Sequence, residues 1–151
     1  MLGAKISLEA NKALVRRLYD EAINRRDAAA AAGFYAVDAK NHGRLVGRSG
    51  MKAVFDTLFS TFPDFNYRID EMTAESDRVV CKVTMQGTHL GQLMLSHAFG
   101  GMLNGIAPTG KRVEVLQFHS FRIDGTQISE HAAVRDDLGI LLQLGLLQRP
   151  S

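Results

Sequence analysis

The chain has 151 residues, the usual size of one domain; 46% are apolar and 23% charged, an ordinary globular balance that excludes a disordered tail, a collagen-like fibre and a coiled coil. Its formal charge is only +2, and its basic residues come in dispersed pairs such as Arg16-Arg17, Arg25-Arg26 and Lys111-Arg112 rather than the stripe that nucleic acid demands. The lone cysteine, Cys81, rules out an intrachain disulfide, no apolar run is long enough to span a membrane, and the N-terminus lacks an apolar signal core, so the expectation is a cytoplasmic protein.

The first pattern is helical. Leu14, Val15, Leu18, Tyr19 and Ala22 recur at one-turn spacing and predict a helix over residues 8–24, with Ser7 as N-cap and Glu9 in the first turn. An alanine-rich helix over 27–35, capped by Asp27, follows. Asn41-His42-Gly43 breaks the pattern. Met51, Val54, Phe55, Leu58, Phe59 and Phe62 then form one apolar stripe and predict a helix over 49–62, which Pro63 stops.

After Pro63 the period drops to two. Phe65, Tyr67 and Ile69 alternate with polar residues, Asp77-Arg78 turns the chain, and residues 79–88 read as a strand with Val79, Cys81, Val83 and Met85 on one face. Residues 89–106, rich in Gly, Leu and Met, read as a long loop or an ill-defined strand pair. Pro108-Thr109-Gly110 marks a turn. Residues 111–123 form a strand, Asp124-Gly125 a hairpin turn, and 126–135 its partner. Asp136 or Asp137 caps a short final helix carrying Leu138, Leu141, Leu142 and Leu144. Helices set apart from a strand meander define an α+β chain, read as a single domain over 1–151.

The 111–123 strand carries the chemistry. Alternation puts Gln117 and His119 on one face with Val113, Val115, Phe121 and Ile123. An amide and an imidazole in apolar surroundings cost a few kcal/mol unless partnered. They are therefore either satisfied within the core or line a cavity that meets a ligand. On the partner strand His131, Ala133 and Arg135 share a face. Arg135 with Asp136 and Asp137 reads most simply as an ion pair at the strand end. The histidines at 42, 89, 97, 119 and 131 lack the spacing that aims two imidazoles at one ion, so no metal is expected. Cys81, mid-strand among valines, reads as an inert buried thiol.

The chain also resembles the SnoaL-like polyketide cyclase, or ester cyclase, family of the NTF2-like superfamily over nearly its whole length. The resemblance runs from Asn11-Lys12 through Tyr19-Asp20-Glu21, Asn41-His42, Gly47-Arg48-Ser49-Gly50 and Phe62-Pro63-Asp64-Phe65. Its more specific pieces are Gly87-Thr88-His89-Leu90-Gly91 and Ala107-Pro108-Thr109-Gly110-Lys111. The most specific is the ending, Ile128-Ser129-Glu130-His131 with Val134-Arg135-Asp136-Asp137-Leu138-Gly139 and Gln143-Leu144-Gly145. The resemblance implies a cone: a curved antiparallel sheet packed on three helices around a pocket, in a homodimer joined through the sheet. It also implies an intramolecular aldol condensation on a polyketide-derived ester, without cofactor or metal. In such cyclases an aspartate on the last strand is the acid–base group, assisted by a Gln and a His that fall on Gln117 and His119. The family ending Glu-His-Trp-Asp reads Glu130-His131-Ala132-Ala133 here, so the aspartate does not carry over. Residues 89–106 are longer than the family's connection, and Leu93, Met94, Leu95, Phe99, Met102 and Leu103 are expected either over the pocket mouth or in a longer packed hairpin.

The expected site therefore has His119 as general base, with Gln117 steadying a developing enolate oxygen and His131 assisting. Asn41, His42, Phe55, Phe59, Met85, Phe121 and Ala133 are expected to meet a small, largely apolar carbonyl or ester compound. Aldol cyclisation, enol–keto isomerisation and hydrolysis all fit these groups. Two other readings stay open: a binding module without catalysis, and an assembly protein whose Gln117 and His119 are satisfied internally with no cavity.

Overall fold

A computed structural model describes residues 7–92 and 104–151. Helix α1, Leu8–Arg17, begins at the expected cap: the Ser7 hydroxyl accepts the Ala10 N–H at 3.1 Å, pairing one of the donors that a helix start leaves free. The helix does not run on as α to Asn24. Leu18–Ile23 widens into a π-helical turn, and the Asn24 N–H returns to the Tyr19 carbonyl at 2.8 Å. Leu18, Tyr19, Ala22 and Ile23 are all buried, so the change of pitch leaves the apolar pattern intact and the sequence silent about it. Helix α2, Ala28–Gly33, is capped as expected by Asp27, which accepts the Ala30 N–H at 2.9 Å.

The expected second helix ends early, because Tyr35 opens strand β1, Tyr35–Asn41. A register shift between Tyr35 and Lys40 breaks the alternation that would have announced this strand. His42 and Gly43, both in the left-handed region, turn the chain into the short β2, Arg44–Leu45. Helix α3 is Gly47–Thr61, two residues ahead of its expected start. Gly47 sits at φ 64° with the Val37 carbonyl oxygen 2.6 Å from where a Cβ would stand, so both backbone and space require glycine there.

Strands β3 (Asn66–Glu75), β4 (Arg78–Thr88), β5 (Arg112–Asp124) and β6 (Gln127–Arg135) complete a six-stranded sheet in the order β2-β1-β6-β5-β4-β3. Every described pairing is antiparallel except β1 with β6. That exception amends the expected wholly antiparallel sheet: β1 reaches the last strand through α3 and the whole meander, not through a hairpin. Along β5 the expected alternation holds, with Val113, Val115, Gln117, His119, Phe121 and Ile123 buried and Arg112, Glu114, Leu116 and Phe118 exposed. Asp136 caps α4, Asp137–Gln143, accepting the Gly139 N–H at 2.8 Å. The inner layer is aromatic: Tyr19, Tyr35, Phe65 and Phe121 are the largest fully buried side chains, and each such burial contributes about 1.5–3 kcal/mol.

The two motifs around residues 89 and 109 meet. The His89 N–H donates to the Lys111 carbonyl and the Gly110 N–H to the His89 carbonyl, both at 2.9 Å. The His89 Nδ1 accepts the Thr109 N–H at 3.2 Å. Leu90 and Gly91 N–H both donate to the Thr61 carbonyl at 3.0 Å. Gly91 lies so close to the Ser60 carbonyl that no side chain fits. Leu93, Met94, Leu95, Phe99, Met102 and Leu103 lie outside the described residues. Among the described residues no helix is long and apolar enough to cross a membrane.

Candidate active site

Between the helices and the inner face of the sheet lies a cavity of about 60 Å³. Its apolar walls include Ile23, Met51, Val54, Phe55, Leu58 and Phe121, while Gln117, His119, His131, Asn41 and Arg135 supply polar groups from β5, β6 and β1. A roomier groove of about 580 Å³ between α1 and α2 has Asn11, Arg17 and Thr126 as its polar side chains. Convergence of polar groups, not size, singles out the inner cavity.

A continuous hydrogen-bonded chain crosses it. The Tyr67 hydroxyl donates to Gln117 Oε1 at 2.9 Å. His119 Nε2 meets the same oxygen at 2.9 Å, His119 Nδ1 meets His131 Nε2 at 3.0 Å, and His131 Nδ1 meets Asn41 Oδ1 at 2.9 Å. Register explains the convergence: β5 lies between β4 and β6, Phe121 pairs with His131 and His119 with Ala133, and β1 pairs Asn41 with His131.

Counting protons along this chain gives a sharp result. An amide oxygen only accepts, so Gln117 requires an N–H from His119, and Asn41 requires one from His131. The contact between the rings needs a third proton. Two neutral imidazoles carry only two, so with both amide oxygens facing inward the pair is a shared cation. Burial, first of all, and then the neighbouring charges oppose that cation. Desolvation and the coulombic effects of His131, Arg135 and His42 hold His119 well below its usual value. Desolvation and then His42 push His131 down to about 3. We take burial as decisive, so the pair is neutral near pH 7. A neutral pair requires that the Asn41 NH2, in place of the Oδ1 that lies 2.9 Å away, face His131 Nδ1, because Gln117 is held in place by Tyr67.

Gln117, His119, His131, Asn41, His42, Phe55, Phe121 and Ala133 all line the cavity. Two expected contacts do not. Met85 is buried on β4 away from the lining, and Phe59 stacks on Phe55 at 6.0 Å and packs against Phe65. His42 is exposed, with its ring 6.0 Å from that of His131. Sequence reasoning passed over Tyr19, Tyr67 and Arg135. The tyrosines look like core at helical and strand spacing. Arg135 makes the expected ion pair, to Asp137 at 3.1 Å, yet it also lines the cavity with its side chain only 10% exposed. Buried Cys81 is pushed up to about 12 by desolvation, which keeps it a thiol. Among the described residues no group of three or more His, Cys, Asp or Glu side chains converges as metal ligands would.

An α+β cone with a mixed apolar and acid–base cavity defines a small-molecule site of NTF2-like type. The profile of the SnoaL-like polyketide cyclases matches residues 13–144, and the chain belongs to that family. Among solved structures it is similar to AclR from Streptomyces galilaeus, at 26% identity over 94% of this chain and 100% of that one, with a TM-score of 0.77. IdmH from Streptomyces antibioticus is also 26% identical, over 89% of this chain and 98% of its own, with a TM-score of 0.70. TsrD from Streptomyces laurentii, at 23% identity over 95% and 100% with a TM-score of 0.79, shares the fold. Compared by sequence with curated proteins, the chain matches none.

Proposed function

We propose that this chain acts on a small, largely apolar carbonyl or ester compound by cofactor-free acid–base chemistry of the aldol type, with the His119–His131 pair as the proton acceptor. The observation that carries this reading is the chain Tyr67–Gln117–His119–His131–Asn41 along a cavity whose other walls are mostly apolar. Depressed basicity keeps the imidazoles unprotonated near pH 7, ready to take a proton from a carbon beside a carbonyl. Gln117 Oε1 is occupied by two donors, which leaves its NH2 for the oxygen on which charge develops. IdmH is described as a proposed polyketide cyclase and AclR as a proposed hydroxylase. The fold therefore does not select the reaction, and the site must.

The test is proton exchange. Small apolar ketones and esters are incubated with the protein in heavy water, and loss of the proton beside the carbonyl is followed by NMR. Exchange above buffer that disappears in His119→Ala supports the reading; no acceleration across the panel overturns it. A binding module without turnover is the second reading. It is favoured by two observations: both His119 nitrogens are already engaged, and Ala133, opposite His119 where the family's cyclases place their aspartate, transfers no proton. Saturable ligand binding with no exchange would establish it.

The reading includes a homodimer joined through the outer face of the sheet, in the cytoplasm, where the lone buried Cys81 stays reduced. Leu116, Phe118, Val80 and Val134 are 40% to 75% exposed there, and Phe118 pairs with Val134 across β5 and β6. Such an apolar patch is costly to leave wet. Phe118→Glu should convert a dimer to a monomer in sedimentation velocity. A wild-type monomer, or a variant that stays dimeric, removes this face as the interface.

A further inference from the structure

Tyr19 carries a hydroxyl that no described residue engages. The residue is fully buried, it lines the cavity, and its Oη has no hydrogen-bond partner among the described residues. A phenylalanine would fill the same space without stranding a polar atom, whose burial is unfavourable. The backbone is unusual at the same point, since Tyr19 lies in the π-helical turn Leu18–Ile23. Such turns recur where a side chain has a task. Its ring stands edge-on to Tyr67 at 5.3 Å and lies 6.2 Å from His119. Tyr19 thus faces the polar chain from the helical wall, while Gln117 and His119 belong to the sheet wall.

Resting on the reading above, we propose that Tyr19 Oη is a catalytic hydrogen-bond donor to the reacting oxygen of the bound carbonyl compound. When the imidazole pair takes the proton from the adjacent carbon, at His131 Nδ1 as its contact to Asn41 is given up, the C–H electron pair becomes the new carbon–carbon double bond. The carbonyl π pair moves to oxygen, and that oxygen accepts the Tyr19 hydrogen bond more strongly than the ketone did. Tyr19 keeps its proton throughout. Burial, the largest influence on it, holds the phenol neutral, which suits a donor. The arrangement assigns the ligand an acceptor oxygen flanked by apolar carbon, because Ile23, Phe55 and Phe121 surround the same space.

Tyr19→Phe tests this with three readouts. Thermal unfolding of the unliganded variant should match or exceed the wild type, since the lost hydroxyl holds nothing; a clearly lowered Tm would make the hydroxyl structural and overturn the proposal. Binding of 4-nitrophenolate, a chromophoric oxyanion on an apolar ring, is followed by its absorption band. The variant should bind it roughly tenfold to a hundredfold more weakly. Equal binding, or no saturable binding by the wild type, overturns the proposal. In the heavy-water exchange assay Tyr19→Phe should lower kcat with little change in KM. If His119→Ala abolishes exchange while Tyr19→Phe leaves both exchange and nitrophenolate binding intact, the Tyr19 role fails and the acid–base reading stands. If nitrophenolate binding needs Tyr19 but the wild type exchanges no proton, the acid–base reading fails and the oxygen site remains.

Discussion

His119→Ala should slow proton exchange beside a carbonyl at least about a hundredfold, and His131→Ala should do nearly the same. The structure ties the two together, because each ring's protonation is set by the other across the 3.0 Å contact. Removing His119 leaves His131 Nε2 without its acceptor; removing His131 leaves His119 Nδ1 facing only the cavity. Groups that act as one unit do not give additive losses. The double variant should therefore be no slower than the worse single variant by more than a few-fold. Multiplying losses, with the double variant about ten-thousandfold slower, would show two independent groups and discard the shared-proton picture. Unchanged exchange in His119→Ala would remove His119 from the chemistry altogether.

Stability should fall steeply as pH drops below about 6.5, before the carboxylates begin to titrate. His119 and His131 bind protons in the unfolded chain near that value but are held lower in the fold, His131 at about 3. Between those limits the unfolded state carries more protons, so acidification favours unfolding. Each imidazole then removes up to about 1.4 kcal/mol per pH unit, and above the unfolded value neither has any effect. Over about two units this amounts to several kcal/mol, against a typical total of about 5–15. His89, fully buried, is also lowered, chiefly by desolvation, and adds to the slope. The lowered carboxyls of Asp64 and Asp70 act only further down, near and below their own range. Urea midpoints across this window should lose much of their pH dependence in the His119→Ala/His131→Ala variant. A wild-type midpoint that stays flat would mean that the folded pair already holds the third proton, with both amide oxygens turned inward.

What could be read from the residues followed from local periodicity. Strand β5 alternates without interruption, so Gln117 and His119 are legible as polar groups on an apolar face. The caps Ser7 and Asp27 could be read for the same reason, since a cap depends only on its own first turn, while the last cap is open between Asp136 and Asp137 in the sequence and the structure places it on Asp136. Strand β1 could not, because its register shift removes the alternation. The π-helical turn escaped because Leu18, Tyr19, Ala22 and Ile23 are buried whichever pitch the helix takes. Tyr67 and Tyr19 alternate and recur as core residues do, and only the three-dimensional meeting of the π-helical turn, β3 and β5 shows that both line a cavity. Which proton His119 carries depends on Asn41, far away in sequence, and no local pattern encodes that.

The clamp joining His89, Gly91, Thr109 and Lys111 to the end of α3 has a consequence for how such a scaffold can diversify. Its backbone bonds fix both ends of the stretch between residues 92 and 108 independently of what lies between them. Closing a chain onto fixed ends costs only about 0.6 kcal/mol more for each doubling of its length. By that measure a change in the length of that stretch costs the closure little, while Tyr19, Gln117 and His119 sit on other elements. Inheritance can keep the cavity groups constant while the length of this one interval drifts, with the closure of the fold scarcely registering the experiment.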